Sequence, residues 1–78
     1  MKTYMRVMDV MSRKPVVVGP ETTIENSVKL MLKEGVGSLI VEENSILKGI
    51  VTEKDLVSKV ILKQLDIKKI SVSKIMST

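Results

Sequence analysis

The spacing of apolar residues changes period several times along this 78-residue chain, and each change marks an element. Val16-Val17-Val18 is a short continuous apolar run closed by Gly19-Pro20, which reads as a strand and a turn. Ile24, Val28, Met31 and Leu32 then recur at i, i+4, i+7 and i+8, the face of an amphipathic helix. Thr22-Thr23-Ile24-Glu25 has the S/T-x-x-E form of a capping box and starts that helix at Thr22. Gly35 is placed to end it, because glycine tolerates the left-handed position after a helix. Two apolar strands follow, Ser38–Glu42 and Ile46–Thr52, with Glu43-Asn44-Ser45 as a polar hairpin turn. A second helix runs from about Glu53 to Leu65, with Leu56, Val57, Val60 and Ile61 inward and Lys54, Lys59 and Lys63 outward. The order β-α-β-β-α predicts an α+β fold, a small mixed sheet packed against two helices.

Both ends of the chain add to this pattern. Arg6 to Ser12 reads as a short helix, with Met5, Met8 and Met11 at three-residue spacing along and just before it. That stripe fits flexible core packing better than a ligand surface. Lys14-Pro15 breaks the helix, since proline biases the residue before it away from helical geometry. Val7-Met8-Asp9-Val10-Met11-Ser12 is echoed 65 residues later by Val72-Ser73-Lys74-Ile75-Met76-Ser77. Chance likeness of short apolar hexamers is one explanation. The other is a tandem repeat whose second copy begins near Val72, in a piece of a longer protein or a half-module that pairs with itself. On that reading residues 1–78 are a single domain, with a core repeat at 6–65 and a linker and repeat start at 66–78.

Composition then limits the function. A chain of this size buries only about 60 % of its unfolded surface. There is no cysteine or histidine to staple it or hold a structural metal, yet 44 % of its residues are hydrophobic. Pairing with a second copy is the expected remedy. The same absences exclude thiol catalysis, histidine acid–base chemistry and most zinc or haem sites. One tyrosine, with no phenylalanine or tryptophan, offers no platform for stacking bases. The net charge of +4 is scattered along the chain, so nucleic acid is not the expected partner. No apolar run is long enough to span a membrane and no signal-peptide core follows the start, so the expected location is the cytoplasm.

Candidate chemistry concentrates in Gly49-Ile50-Val51-Thr52-Glu53-Lys54-Asp55. A strand there runs into a helix start, bringing a hydroxyl, a carboxylate and free backbone N–H groups together. Such a cluster can hold a phosphate and a ribose. Thr52 and Asp55 are equally a capping-box variant, with Thr52 at the N-cap and Asp55 at N3, and capping alone would account for both. The two roles are compatible.

The ordered set Asp9-Val10-Met11-Ser12, Thr23-Ile24 with Leu30-Met31, Ser38-Leu39-Ile40-Val41, and Gly49-Ile50-Val51-Thr52 with Asp55-Leu56 resembles a CBS (cystathionine β-synthase) domain over almost the whole chain. That resemblance implies the β-α-β-β-α fold and pairing of two units through their sheets into a Bateman module. It implies clefts for adenine nucleotides or adenosyl compounds: AMP, ADP, ATP or S-adenosylmethionine as a reversible ligand, with no cofactor required. By it, Asp55 would accept hydrogen bonds from ribose hydroxyls, Thr52 would contact phosphate and Ile50 would line the adenine pocket. The backbone around Lys14, Pro15 and Val16 would read the base edge, and Lys54 would help neutralise phosphate. The chain departs from the family pattern at Ile40 and Glu42, where proline and aspartate are common, and at Ser27, where alanine is frequent.

The leading expectation is therefore a non-enzymatic regulatory module that forms a homodimer, binds an adenosyl ligand and controls an associated enzyme or transporter. The alternatives are a ligand-free dimerisation scaffold and a nucleic-acid accessory protein. Serine and threonine are the available nucleophiles, and no histidine base exists to activate them.

Overall fold

Strand β2 (Ser38–Glu43) runs between β1 (Val17–Val18) and β3 (Ile46–Thr52) in a computed structural model that describes residues 15–78. The expectations for Arg6–Ser12, for Met5, Met8 and Met11, and for Lys14 lie outside the described residues. β1 pairs parallel with β2, Val17 opposite Ile40, and so needs a crossover, which helix α1 (Ile24–Glu34) provides. β2 and β3 pair antiparallel from Ser38–Thr52 to Glu43–Ile46, with a bulge after Val41. The hairpin turns on two residues, Asn44 and Ser45, both at positive φ (53° and 65°). Two such residues match the twist of the flanking strands, so β2 extends one residue further than the polar triplet implied.

Helix α1 confirms its stop and shifts its start. Gly35 ends it at φ 66°, ψ 37°, with its N–H on the Met31 carbonyl. The N-cap is Thr23, not Thr22: its hydroxyl accepts the Asn26 N–H at 3.1 Å, as an N-cap oxygen does from N3. Ile24 and Met31 are buried and Val28 packs beside them, but Leu32 is 79 % exposed. Ser27 takes the buried position, and its Oγ is fully covered without a hydrogen-bond partner.

The second helix departs further from its pattern. α2 is a single turn, Glu53–Asp55, continued as a π-helix over Leu56–Ile61. Its end is marked by Gln64 at φ 53° and by the Leu65 N–H reaching back to the Val60 carbonyl at 3.1 Å. Hydrogen bonding to the fifth residue widens the turn and rotates successive side chains differently from an α-helix. Leu56 and Val60 stay on the core, while Val57 and Ile61 are 57 % and 66 % exposed. Lys59, expected to face outward, is instead partly buried against Asp55.

Residues 66–78 close the core. Val72 opens a short 3-10 turn (Val72–Lys74); it and Ile75 are 0 % and 1 % exposed, packed with Val18, Leu39, Val41 and Val51. The segment also supplies acceptors for the orphan donors of α1: the Ile24 and Glu25 N–H groups bond the carbonyls of Ile70 and Ile67, each at 2.9 Å. In return the Val72 N–H bonds the Thr22 carbonyl at 2.8 Å. Further on, Ser77 exchanges two backbone hydrogen bonds of 2.9 Å with Ile50 on the open edge of β3. Gly49 is required there: a Cβ would stand 2.6 Å from the Ser77 carbonyl oxygen and 2.9 Å from Met76 Sδ.

Candidate functional site at the junction of β3 and α2

Thr52 ends β3 in an extended conformation (φ −122°, ψ 167°) and caps α2. Its backbone N–H donates to Asp55 Oδ2 at 2.9 Å, and its Oγ1 accepts the Asp55 N–H at 3.3 Å, completing the capping box. The Thr52 hydroxyl also donates to Asp55 Oδ2 at 3.1 Å. The other carboxylate oxygen is occupied as well. Asp55 Oδ1 lies 3.1 Å from Lys59 Nζ and accepts the Ser77 hydroxyl at 3.3 Å. Lys59 Nζ donates in addition to the Ile75 carbonyl at 2.8 Å. Four donor groups thus surround the carboxylate of a residue that is only 5 % exposed.

Burial by itself pushes the Asp55 carboxyl up. The Thr52 N–H, Lys59 and the Thr52 hydroxyl outweigh it and hold the group below the ordinary aspartate value. Asp55 therefore remains ionised near neutral pH, which leaves both its oxygens as acceptors.

The positions singled out in the sequence are not all equally placed. Thr52 and Asp55 are together, as their spacing required. Ile50 stands two residues before Thr52 on β3, so the two side chains share a sheet face. Pro15 and Val16 lie across the sheet: the Val16 carbonyl accepts the Ile40 N–H at 2.9 Å, and Ile40 is the register partner of Ile50. Two strand spacings, about 10 Å, separate that backbone from β3. Lys54 is exposed on the first turn of α2, and Lys14 is outside the described residues. The free N–H donors expected at the helix start are fewer than the sequence implied, because Glu53 bonds the Gly37 carbonyl at 3.1 Å and Asp55 bonds Thr52. Lys59 and Ser77 were missed. The first carried a readable signal, i,i+4 spacing from Asp55; the second, 22 residues away, carried none.

Among the described residues no group of three or more histidine, cysteine, aspartate or glutamate side chains could hold a metal ion, and no helix is long and apolar enough to cross a membrane.

Comparison with known proteins agrees with this architecture. The family model for the CBS domain matches residues 7–62, and the chain belongs to that family. It is 33 % identical over 72 residues to the CBS domain-containing protein YhcV of Bacillus subtilis, covering 92 % of this chain and 51 % of that one. A solved cystathionine β-synthase domain protein fused to a Zn-ribbon-like domain superposes with a TM-score of 0.79 at 34 % identity, over 83 % of this chain and 93 % of the other. The CBS domain protein PAE2072 from Pyrobaculum aerophilum, solved in complex with AMP, has a TM-score of 0.78 over 90 % of this chain and 54 % of its own. At 19 % identity that last likeness concerns the fold alone. The chain spans about half or less of the curated relatives it matches.

Proposed function

We propose that the chain is a regulatory sensor module in which two copies pair and bind an adenine nucleotide or adenosyl compound at the junction of β3 and α2. The observation that carries this reading is the Thr52–Asp55 pair at the end of an apolar strand. An ionised carboxylate beside a threonine hydroxyl suits a ribose hydroxyl, with the phosphate beside Thr52. Ile50 on the same sheet face supplies an apolar wall, and Lys54 a nearby cation. The AMP complex of a neighbour with the same fold supports the ligand class. Pairing has separate support: Val17, Leu32, Ile46, Val57, Ile61 and Leu62 are large apolar side chains left exposed on a small unit. The module would act on an enzyme or transporter in the cytoplasm, and none of its own residues is assigned a catalytic role.

A second reading is favoured by one specific observation, the complete internal satisfaction of Asp55. On it, Thr52 and Asp55 serve only as the α2 cap of a dimerising scaffold. Thermal unfolding with AMP, ADP, ATP and S-adenosylmethionine at millimolar concentration separates the two. A sensor gains melting temperature in proportion to the logarithm of one of these ligands, whereas a scaffold is indifferent to all four.

A further inference from the structure

The carboxylate proposed to hold a ribose is the same one that fastens residues 75–77 to the domain. We propose that this segment is a latch over the β3–α2 junction, kept closed by Lys59 and Ser77 on Asp55, and that a ligand hydroxyl at Asp55 opens it. The second half of that statement rests on the nucleotide-binding reading; the first does not.

The latch has three fastenings of different kinds. Lys59 Nζ joins Asp55 Oδ1 to the Ile75 carbonyl, at 3.1 and 2.8 Å, so helix and segment are pinned by one ammonium. The Ser77 hydroxyl reaches the same Oδ1 at 3.3 Å. The Ser77 backbone exchanges hydrogen bonds with Ile50, a residue proposed to line the base pocket. Asp55 Oδ2 is already committed to Thr52, whose two contacts hold the cap. Oδ1 is therefore the oxygen a ribose hydroxyl can take, and its weakest present partner is Ser77: neutral, longer than the Lys59 contact, and on an exposed residue. Exchange of Ser77 for a ligand hydroxyl leaves Lys59 paired while removing one fastening from the segment. Val72 and Ile75 stay anchored in the core, so the motion begins after Ile75, where Met76 and Ser77 lie next to the Gly49 backbone.

Amide hydrogen exchange, read residue by residue, tests the latch. In ligand-free protein, Lys59→Met should accelerate exchange of the Ser77 and Ile50 amides about tenfold, the equilibrium equivalent of losing one charge-assisted hydrogen bond. Ser77→Ala, a change too small to threaten folding, should accelerate the same two amides about threefold, in keeping with a longer contact from a neutral hydroxyl. The β2–β3 amides should not change in either variant. Unaltered Ser77 and Ile50 exchange in both variants overturns the latch, whatever the protein binds. AMP is the probe for the second half. Saturable AMP binding with faster Ser77 exchange, and tighter binding by Ser77→Ala, supports opening; saturable binding with unchanged or slower Ser77 exchange overturns it. Absence of AMP binding in wild type and Ser77→Ala alike overturns both ligand-driven opening and the nucleotide-binding reading, while the ligand-free variants still decide whether the latch exists.

Discussion

Lys59 Nζ lies 3.1 Å from Asp55 Oδ1 and 2.8 Å from the Ile75 carbonyl oxygen, so one ammonium joins the second helix to the segment that closes the core. This contact makes Asp55 both the chemical centre of the candidate site and a structural keystone. Substitutions there move binding and stability together, and the two have to be separated by choice of variant.

Asp55→Asn keeps the shape of the side chain but removes its charge. Loss of the charged cap and of the Lys59 pair should lower unfolding stability by about 1–2 kcal/mol. Urea unfolding at pH 7 followed by circular dichroism measures it. A variant as stable as wild type would show that the capping box and ion pair contribute nothing net.

The lowered pKa of Asp55 gives stability a defined pH dependence. The native state holds this proton less tightly than the unfolded chain, whose aspartates titrate near pH 4. The contribution is therefore fully present above the unfolded value and is lost as pH falls through the folded one. Wild type should lose more stability than Asp55→Asn as pH falls from about 5 into the acid range, with parallel behaviour above. Equal losses across that window would assign the effect to other carboxylates.

Ile75→Ala should be severe. Its side chain is 1 % exposed in the main cluster, and truncating such a residue costs about 2–5 kcal/mol, a large share of what a domain this small possesses. Leu32→Ala, at 79 % exposure, should change monomer stability by about 0.5 kcal/mol or less. Chemical unfolding of the pair at low protein concentration makes the comparison. Equal effects would contradict the placement of the C-terminal segment in the core.

Ser27→Ala should stabilise. The Ser27 Oγ is buried with no partner, so its removal relieves a desolvation cost and improves helix propensity, for a gain of about 1 kcal/mol. A rise in melting temperature is the expected result, and a fall would show that the hydroxyl is satisfied.

Much of this fold was legible because its signals are local. The β2–β3 hairpin follows from two apolar runs around a polar turn, and Gly35 stops α1 through a backbone preference that no tertiary contact has to supply. Thr52 and Asp55 were found for the same reason: a capping box is an i,i+3 relationship. Apolar spacing failed where packing decides. Leu32, Val57 and Ile61 satisfy a helical period yet face outward, because Ser27 occupies the inner position on α1 and the π-helical turn rotates α2. Val72 and Ile75 were visible as an echo of Val7 and Val10, but an echo says nothing about which core these residues fill. Ser77 on Asp55 spans 22 residues and two elements, a contact only the folded chain creates.

Titration calorimetry of AMP into wild type and Asp55→Asn tests the central claim most directly, with circular dichroism confirming that the variant is folded. Saturable heat in wild type that disappears or weakens at least about tenfold in the variant is the predicted result, the loss of one charge-assisted hydrogen bond to ribose. Equal binding by both proteins, or no saturable heat in wild type at millimolar AMP, would contradict the assignment of Asp55 as a ribose acceptor.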